Sequence, residues 1–576
     1  MLPLLRSVGI LDPHRAEKVL SYPEFDGLNH ELIVENLRAV PDPDNALFGL
    51  VRVLEKRPDL RAVYEGETLS ELAQRLLVVL GISHAFTDWL VRDPSWIENI
   101  TSVNADEQTL HGVDFYKDEF KKLQQLYPDL DDVSILRKTY RQALIGISLV
   151  DVESEMSEKL QIVCQQLSDL AVAAIQIALD IAQEEMQSDV PMAVIALGKC
   201  GARELNYLSD VDVMYVLADD TSVATLQQAT EVAQRVGHII SGPGVEPPLF
   251  ELDANLRPEG KDGPLVRTLE SCREYYTQWA HLWEYQAMLK ARAVAGDEQV
   301  GEEFTEFIED LVWSASEREG FLESMRHLRS KVVKHIPKDQ AEREIKLGQG
   351  GLRDIEFSVQ LLQLVHGRED TSLHDRDTLS ALEALTKRGY ISRTDGKEFS
   401  DCYRFLRVLE HGTQLLKMKR THLLPQQENS LRHLSRLIRT ELEDDTSSLP
   451  LYEKLLKKWK NTKVKVRTIH ERLFFQPILD SLVQIKGDEL KVTLDEEGSL
   501  RRLEALGYDN PKQAMAHIKA LTQGVSRKAD LHRLLLPLFL RWFSDSVNPD
   551  KSLLNYRVIS EQLGDSPWYL SMLRDS

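Results

Sequence analysis

The sequence predicts a mainly helical protein that contains a small mixed β-sheet. Most of its 576 residues repeat apolar side chains with the spacing of amphipathic helices, as in Leu69–Leu80 and the alanine-rich Leu160–Met186. Two short β-rich apolar runs, Ala193–Leu197 and Val211–Leu217, interrupt this pattern, and a glycine turn that starts at Gly198 separates them. Runs of this kind predict two adjacent strands. The chain is long enough for roughly three or four domains of the usual size.

Composition and charge are those of an ordinary cytoplasmic protein. Hydrophobic residues make up 42% of the chain and charged residues 28%, which is enough for a large core. A net charge of −22 argues against a general nucleic-acid binder but leaves room for a local basic phosphate site. The four scattered cysteines indicate reduced thiols, with neither a disulfide frame nor a zinc site. The N-terminus lacks signal-peptide features, and no apolar run is long enough to predict a membrane span.

The N-terminal region, residues 1–160, is expected to be mostly helical. Gly81 follows the last apolar residue of Leu69–Leu80 and is expected to end that helix. Pro94 is expected to end the following helix at or near Asp93, because a proline disfavours helical geometry in the residue before it.

Two predicted helices carry basic faces. Arg137, Lys138 and Arg141 lie together on Leu136–Val150, and lysines crowd Tyr452–Leu473. Charge runs are usually solvated helix faces, so we favour that interpretation for both. The alternatives are a phosphate-facing or partner-facing edge for the first helix, and contact with an acidic partner or another domain for the second.

Paired carboxylates open the second predicted strand. Asp210 and Asp212 are two residues apart, so in a strand their side chains point to the same face. Two like charges side by side are costly without a cation. Asp253, with Glu251, lies on a later strand-like run, Leu249–Leu256. Carboxylates beside a glycine turn suit hard divalent metals and phosphate chemistry.

The remainder of the chain is again expected to be helical. Leu265–Lys290 carries five aromatic residues at helical spacing, which we interpret as core in preference to an adenine-stacking surface. Lys290 and Arg292 alternate on an extended piece, and the polar stretch Leu423–Leu449 is expected to be a connector. Further helices are predicted over Ile355–Val365, Leu373–Lys387 and Lys397–Met418.

A glycine turn, a DxD pair and a third strand-borne carboxylate form the arrangement that polymerase-β-like nucleotidyltransferases use. Four motifs then identify the family. They are GKCGARELNYLSDVDVMYV, LFELDANLRPEGKDGPL, WEYQAMLKARAVAGD and IKLGQGGLRDIEFSVQLLQLVHG. In this order they closely resemble the glutamine synthetase adenylyltransferase/adenylyl-removing enzyme family, from about residue 70 to the end of the chain.

Full-length members of that family carry two nucleotidyltransferase halves in tandem, whereas this sequence has one DxD constellation. It is therefore expected to be either a truncated chain or a natural single half, and truncation is favoured. About 190 residues precede the motif and a linker-like helical unit follows it, which is the placement expected of the N-terminal, adenylyl-removing half. The segment ARELNYLSDVDV also resembles the N-terminal copy of the motif.

The resemblance implies a reaction, cofactors and partners. The reaction is phosphorolysis, in which adenylylated tyrosine of glutamine synthetase and phosphate give free tyrosine and ADP. The alternatives are adenylyl transfer from ATP to the synthetase and a non-catalytic regulatory docking half. The implied cofactor is Mg²⁺ or Mn²⁺, as two ions, and the implied regulators are a PII-type signal protein and glutamine. No nucleic-acid or membrane partner is implied.

The resemblance also implies the site residues. Asp210, Asp212 and Asp253 are expected to hold the metals and carry catalysis. The expected phosphate- or nucleotide-binding residues are Gly198, Lys199, Gly201, Arg203, Ser209, Arg257, Lys290, Arg292, Lys346 and Arg353. For Arg203, and for the basic residues Arg257, Lys290 and Arg292, structural ion pairs are the alternative role, and Ser209 is expected mainly to brace the turn.

We expect four domains. They are an N-terminal helical region (1–160), a polymerase-β-like nucleotidyltransferase domain (161–298), a helical bundle (299–475), and a C-terminal helical linker (476–576) toward a missing second half.

Overall fold

The chain folds mainly into α-helices, and a five-stranded mixed sheet lies in the middle of the sequence. The computed structural model describes residues 1–101, 111–219, 221–318, 336–482, 507–523, 527–544 and 546–564, with residues 321, 329, 500, 503, 566, 568 and 569. The predicted fold class, mainly helical with a small mixed sheet, is confirmed.

The helices before the sheet are α1 (Leu2–Ser7), α2 (Pro13–Val19), α3 (His30–Asn36), α4 (Pro43–Lys56), α5 (Glu71–Ile82), α6 (His84–Arg92), α7 (Val113–Leu126), α8 (Asp132–Glu153) and α9 (Met156–Met186). The sheet region contains β1 (Met192–Ala196), α10 (Gly198–Gly201), β2 (Val211–Leu217), α11 (Val223–Ser241), β3 (Leu252–Asp253), β4 (Val266–Thr268), α12 (Leu269–Gln278), α13 (Leu282–Met288), β5 (Arg292–Gly296) and α14 (Glu298–Ser314). The helices that follow are α15 (Leu352–His366), α16 (Thr378–Lys387), α17 (Arg393–Lys417), α18 (Glu428–Leu437), α19 (Leu451–Leu482), α20 (Pro511–Thr522), α21 (Arg527–Ser544) and α22 (Pro549–Leu563).

The sheet has the order β3-β2-β1-β5, and β4 also pairs with β2. Strands β1 and β2 are antiparallel neighbours, as their apolar runs predict. Strand β3 pairs in parallel with the start of β2, and β4 pairs in parallel with its end. Residue 212 is therefore placed beside residue 253 in the register of β2 and β3.

Helix α9 is the central helix of the core. By length and composition it could cross a membrane, but 83% of its most apolar window is buried inside the protein. It packs against α7, α8, α11, α17 and β5. Burial on nearly all sides explains why its sequence is apolar around most of its circumference.

One helix end differs from the sequence expectation. Gly81 does not end its helix but lies inside α5, one residue before its last residue. A Cβ atom at this position would lie 1.9 Å from Cγ1 of Val40 and 3.1 Å from the carbonyl oxygen of Asp42. The glycine thus permits close packing, which sequence spacing does not distinguish from a helix stop. The end of α6 at Arg92, with Asp93 as its cap before Pro94, agrees with the prediction.

The expected solvated face of Arg137, Lys138 and Arg141 is wrong, because all three side chains are buried in α8. The Arg137 guanidinium donates to the carbonyl oxygens of residues 239, 242 and 246, at 2.7, 2.8 and 2.6 Å. It thereby binds carbonyl groups at the C-terminal end of α11, residues 239 and 242, and one in the loop that follows, residue 246. The lysine-rich face of Tyr452–Leu473, by contrast, is solvated at residues 457, 460 and 465.

Three further segments differ from the expected pattern. The run Leu249–Leu256 is a strand only over β3, and Leu265–Lys290 divides into β4, α12 and α13. The connector Leu423–Leu449 contains the helix α18. Among the aromatic residues, Tyr276 and Tyr285 are fully buried, as expected of core, but Trp279 is 69% exposed. Part of the expected C-terminal helical linker, residues 476–576, lies outside the described residues, and the four domain boundaries stay predictions.

Candidate active site

Three carboxylates converge at one edge of the sheet. Asp212 is the second residue of β2 and stands beside Asp253 of β3, while Asp210 immediately precedes β2 and lies two residues from Asp212. Each side chain offers an oxygen, and these oxygens lie within 4.8 Å of one another. The convergence follows from the parallel register of two neighbouring strands together with the two-residue period of one of them.

The charges of this trio repel one another. Burial and the charges of Asp210 and Asp253 raise the pKa of Asp212 to about 6. Ser209 Oγ lies 3.3 Å from Oδ1 of Asp210, and the backbone N–H of Asn255 donates to Oδ1 of Asp253 at 2.8 Å. Clustered carboxylate oxygens are the donors that Mg²⁺ and Mn²⁺ prefer, so the donor set fits a hard divalent cation.

The turn after β1 approaches the trio closely. Gly198 has a φ of +53°, and a Cβ atom there would lie 2.5 Å from Oδ2 of Asp212. A Cβ at Gly201 would lie 1.9 Å from the carbonyl oxygen of Lys290 and 2.6 Å from that of Ala196. Both positions therefore require glycine, the first for conformation and space and the second for space alone.

Three of the basic residues predicted to bind phosphate are held in ion pairs near the turn. The Lys199 ammonium group lies 2.9 and 2.8 Å from the two carboxylate oxygens of Glu410. Arg203 lies 2.5 Å from a carboxylate oxygen of Asp169. Lys290 pairs at 2.5 Å with Glu204, whose carboxylate is buried with it.

Two further arginines bind backbone carbonyl groups. Arg292 donates to the carbonyl oxygens of residues 201 and 200, both at 3.0 Å, and so fastens β5 to the glycine turn. Arg257 donates to those of residues 254 and 263, at 2.8 and 2.9 Å. All five basic side chains described here and in the preceding paragraph therefore have intramolecular partners.

Lys346 and Arg353 act on the trio through their charges. The charges of both lower the pKa of Asp212, which places them within electrostatic reach of the trio. Arg353 also lies 3.5 Å from Glu356 and over the ring of Phe357. Both residues belong to the glycine-rich segment that precedes and opens α15.

Sequence reasoning missed the bundle residues that reach this region. Arg420, just beyond α17, lies 2.6 Å from Oδ2 of Asp210. Glu410 is fully buried, and besides Lys199 it contacts Nδ1 of His422 at 3.1 Å. The run KMKRTH, residues 417–422, is the one signal in the sequence, but nothing in that run indicates a partner two hundred residues away.

Comparison with known proteins shows which sequences this chain is similar to. The family description "Glutamate-ammonia ligase adenylyltransferase" matches residues 73–307, and "GlnD PII-uridylyltransferase" matches residues 323–474. A bifunctional glutamine synthetase adenylyltransferase/adenylyl-removing enzyme of Streptomyces coelicolor is 44% identical over 584 aligned residues, covering 98% of this chain and 56% of the relative. Proteins of the same name from Leifsonia xyli and Mycolicibacterium smegmatis are 40% identical and cover 94% and 100% of the chain. The chain spans 55% and 58% of those two relatives.

A small mixed sheet with three carboxylates at its edge, a glycine turn beside them and helices around them is the arrangement typical of nucleotidyltransferases. The similar proteins show which family of this class the chain represents. The chain belongs to the glutamine synthetase adenylyltransferase/adenylyl-removing enzyme family.

Proposed function

We propose that this chain removes AMP from the adenylylated tyrosine of glutamine synthetase by metal-dependent phosphorolysis. The observation that carries the proposal is the convergence of Asp210, Asp212 and Asp253, whose oxygens lie within 4.8 Å of one another. The names of the relatives support the choice of glutamine synthetase as the substrate. The reaction would reactivate the synthetase and so regulate nitrogen assimilation in the cytoplasm.

The trio would hold one or two Mg²⁺ or Mn²⁺ ions. Such ions, when bound, supply charge neutralisation at the phosphoryl oxygens during in-line displacement. Lys346 and Arg353 would orient the phosphate groups from the bundle side. Backbone N–H groups of the turn at Gly198 and Gly201 would lie along the other side of those phosphates.

The basic residues that have intramolecular partners are proposed to position the site. Lys199 and Arg292 hold the glycine turn against the bundle and β5, and Ser209 braces Asp210. Arg203 pairs with Asp169 and so attaches the segment after the turn to α9. Glu204, the partner of Lys290, accepts a hydrogen bond from the backbone N–H of Thr378 and so attaches the same segment to α16. Arg257 closes the loop after β3. These contacts fix the carboxylates before substrate arrives, which lowers the reorganisation that the reaction requires.

The chemistry needs no strong protein base. An oxygen of hydrogenphosphate attacks the AMP phosphorus, and the bond from that phosphorus to the tyrosyl oxygen breaks. The proton of hydrogenphosphate passes to the phenolate, so the products are ADP and neutral tyrosine. Because hydrogenphosphate is already an anion and a phenolate is a fair leaving group, the protein's task is positioning and charge stabilisation.

Adenylyl transfer from ATP to the synthetase is the second candidate function. It would use the same carboxylates, and the names of the relatives include both activities. Within the described ranges one carboxylate trio is found, so we expect the chain to favour one of the two reactions. The resemblance of ARELNYLSDVDV to the adenylyl-removing half supports removal of AMP as the favoured reaction.

The test is to incubate the chain with adenylylated glutamine synthetase, radiolabelled phosphate and Mg²⁺. We expect labelled ADP, loss of ADP formation with EDTA, and loss with Asp212→Asn. A PII-type signal protein and glutamine, added separately, are expected to change the rate. The proposal is wrong if no ADP forms while α-labelled ATP transfers AMP to unmodified synthetase.

A further inference from the structure

The helical bundle places an arginine directly against the carboxylate trio. Arg420 follows the C-terminal end of α17, and its Nη2 lies 2.6 Å from Oδ2 of Asp210. Its Nη1 lies 3.4 Å from Oε2 of Glu251, the residue that immediately precedes β3. The side chain is 47% exposed, so the guanidinium is accessible to a ligand from solvent.

A short backbone pairing fixes where this arginine lies. Residues 344 and 423 form an isolated antiparallel bridge. The N–H of Ile345 donates to the carbonyl oxygen of His422 at 2.8 Å, and the N–H of Leu424 donates to that of Arg343 at 2.9 Å. Two segments of the bundle, one carrying Lys346 and the other Arg420, are thus tied together beside the trio. The Arg420 guanidinium contacts Asp210, and the charge of Lys346 acts on Asp212.

The contact between Arg420 and Asp210 has little value as a structural ion pair. Half-exposed ion pairs contribute about 0–1 kcal/mol, because solvent screens them and ordering two long side chains costs entropy. A cation held by Asp210 would also compete with the guanidinium for the same carboxylate oxygen. Arginine presents five N–H donors in a planar fork that matches the oxygens of a phosphate group. These features suit a residue that exchanges one anionic partner for another.

We propose that Arg420 binds the attacking phosphate, which becomes the β-phosphate of ADP. This inference rests on the proposed phosphorolysis and deepens it by naming a substrate-binding residue contributed by the bundle. The phosphate would be held between Arg420 and Lys346, and the AMP group of the substrate would lie on the side of the glycine turn. Arg420 is therefore a specificity residue for the second phosphate of the nucleotide.

The test compares the binding of ADP and AMP. Titration calorimetry of each nucleotide with Mg²⁺ is made on the whole chain, its Arg420→Gln and Arg420→Lys variants, and the control Arg432→Gln. Arg432 is an exposed bundle arginine paired with Glu428 in α18. Because a charge-assisted hydrogen bond is lost, Arg420→Gln is expected to weaken ADP binding about ten- to hundredfold and to leave AMP binding unchanged. Arg420→Lys should lie between wild type and Arg420→Gln.

Two results would overturn the proposal. One is an equal loss of affinity for ADP and AMP, which would indicate a general structural effect. The other is unchanged ADP affinity in Arg420→Gln, which would leave Arg420 as an ordinary surface ion pair. The thermal unfolding midpoint of each variant serves as the folding check.

This experiment is independent of turnover, since glutamine synthetase is absent from it. If wild type binds ADP through Arg420 but forms no ADP from the adenylylated synthetase, the proposed reaction fails while the residue assignment stands. If turnover occurs, Arg420→Gln is also expected to raise the KM for phosphate about ten- to hundredfold with a smaller change in kcat.

Discussion

Replacement of Glu410 tests how the bundle holds the glycine turn. The Glu410 carboxylate is fully buried and contacts Lys199 at 2.9 and 2.8 Å, Nδ1 of His422 at 3.1 Å and Nη1 of Arg407 at 3.3 Å. Burial alone would raise the pKa of Glu410, but Lys199 and Arg407 hold it well below the usual range. Burial and Arg407 in turn lower the pKa of Lys199 to about 7. One carboxylate therefore balances several buried cationic groups.

Glu410→Gln keeps the shape of the side chain and removes its charge. Breaking a buried ion pair by removing one partner costs about 3–5 kcal/mol, because the remaining charge is left uncompensated. We therefore expect the free energy of unfolding to fall by about that amount. Since Lys199 adjoins Gly198, whose position beside Asp212 is tight, turnover should fall as well.

Urea denaturation provides the measurement. Because a chain of this size can unfold in steps, the midpoint of the first unfolding transition is compared between variants at a common m-value. Glu428→Gln, which removes an exposed partner of Arg432, is the matched control and should change stability by less than about 1 kcal/mol. The double variant Lys199→Met with Glu410→Met should be less destabilised than Glu410→Gln, because it leaves Arg407 without this carboxylate, whereas Glu410→Gln leaves both Arg407 and Lys199 without it. A loss in Glu410→Gln no larger than that of Glu428→Gln would refute this reasoning.

Three other changes have defined outcomes. Asp212→Asn should lower kcat for ADP formation by about a thousandfold and weaken Mn²⁺ binding in calorimetry, whereas intact turnover would exclude the metal assignment. Gly198→Ala places a Cβ 2.5 Å from Oδ2 of Asp212 at a φ of +53°, so it should lower turnover while circular dichroism stays unchanged; full activity would show that the turn adapts. Burial alone would lower the pKa of His411, but Cys164 and Asp151 raise it to about 9. Because the pKa of His411 is raised in the folded state, protonated His411 contributes its full stabilisation below the unfolded pKa of about 6.5 and loses it as pH rises through about 9. The urea midpoint should therefore decline over this pH range, and Asp151→Asn should make the decline smaller.

The sequence predicts the local part of the site. Asp210 and Asp212 share a face because strand period is a local property, and the glycine turn is visible in the order of residues. The pairing of Asp212 with Asp253 was inferred from the type of residue on a later run, although only two residues of that run form a strand. Local periodicity and short-range spacing therefore account for the fold class and for the Asp210–Asp212 pair, whereas Asp253 is added only by the resemblance to the nucleotidyltransferase arrangement.

The sequence does not predict contacts between residues that are far apart in the chain. Arg137 lies 109 residues from Glu246, whose carbonyl oxygen it binds, and for this reason the local sequence predicts a solvated side chain instead of a buried one. Arg420 lies 210 residues from Asp210, and a basic run at the end of a helix does not show which carboxylate it meets. Both side chains obtain their roles from tertiary packing, which local propensity and charge patterning do not encode.

The most direct test of the central claim is an anomalous-scattering crystal structure of the chain with Mn²⁺ and ADP. We expect one or two anomalous peaks from manganese ions that are coordinated by oxygens of Asp210, Asp212 and Asp253. The β-phosphate of ADP is expected to lie beside Lys346 and Arg420. Manganese bound elsewhere, with the trio free of metal while ADP occupies the site, would contradict it.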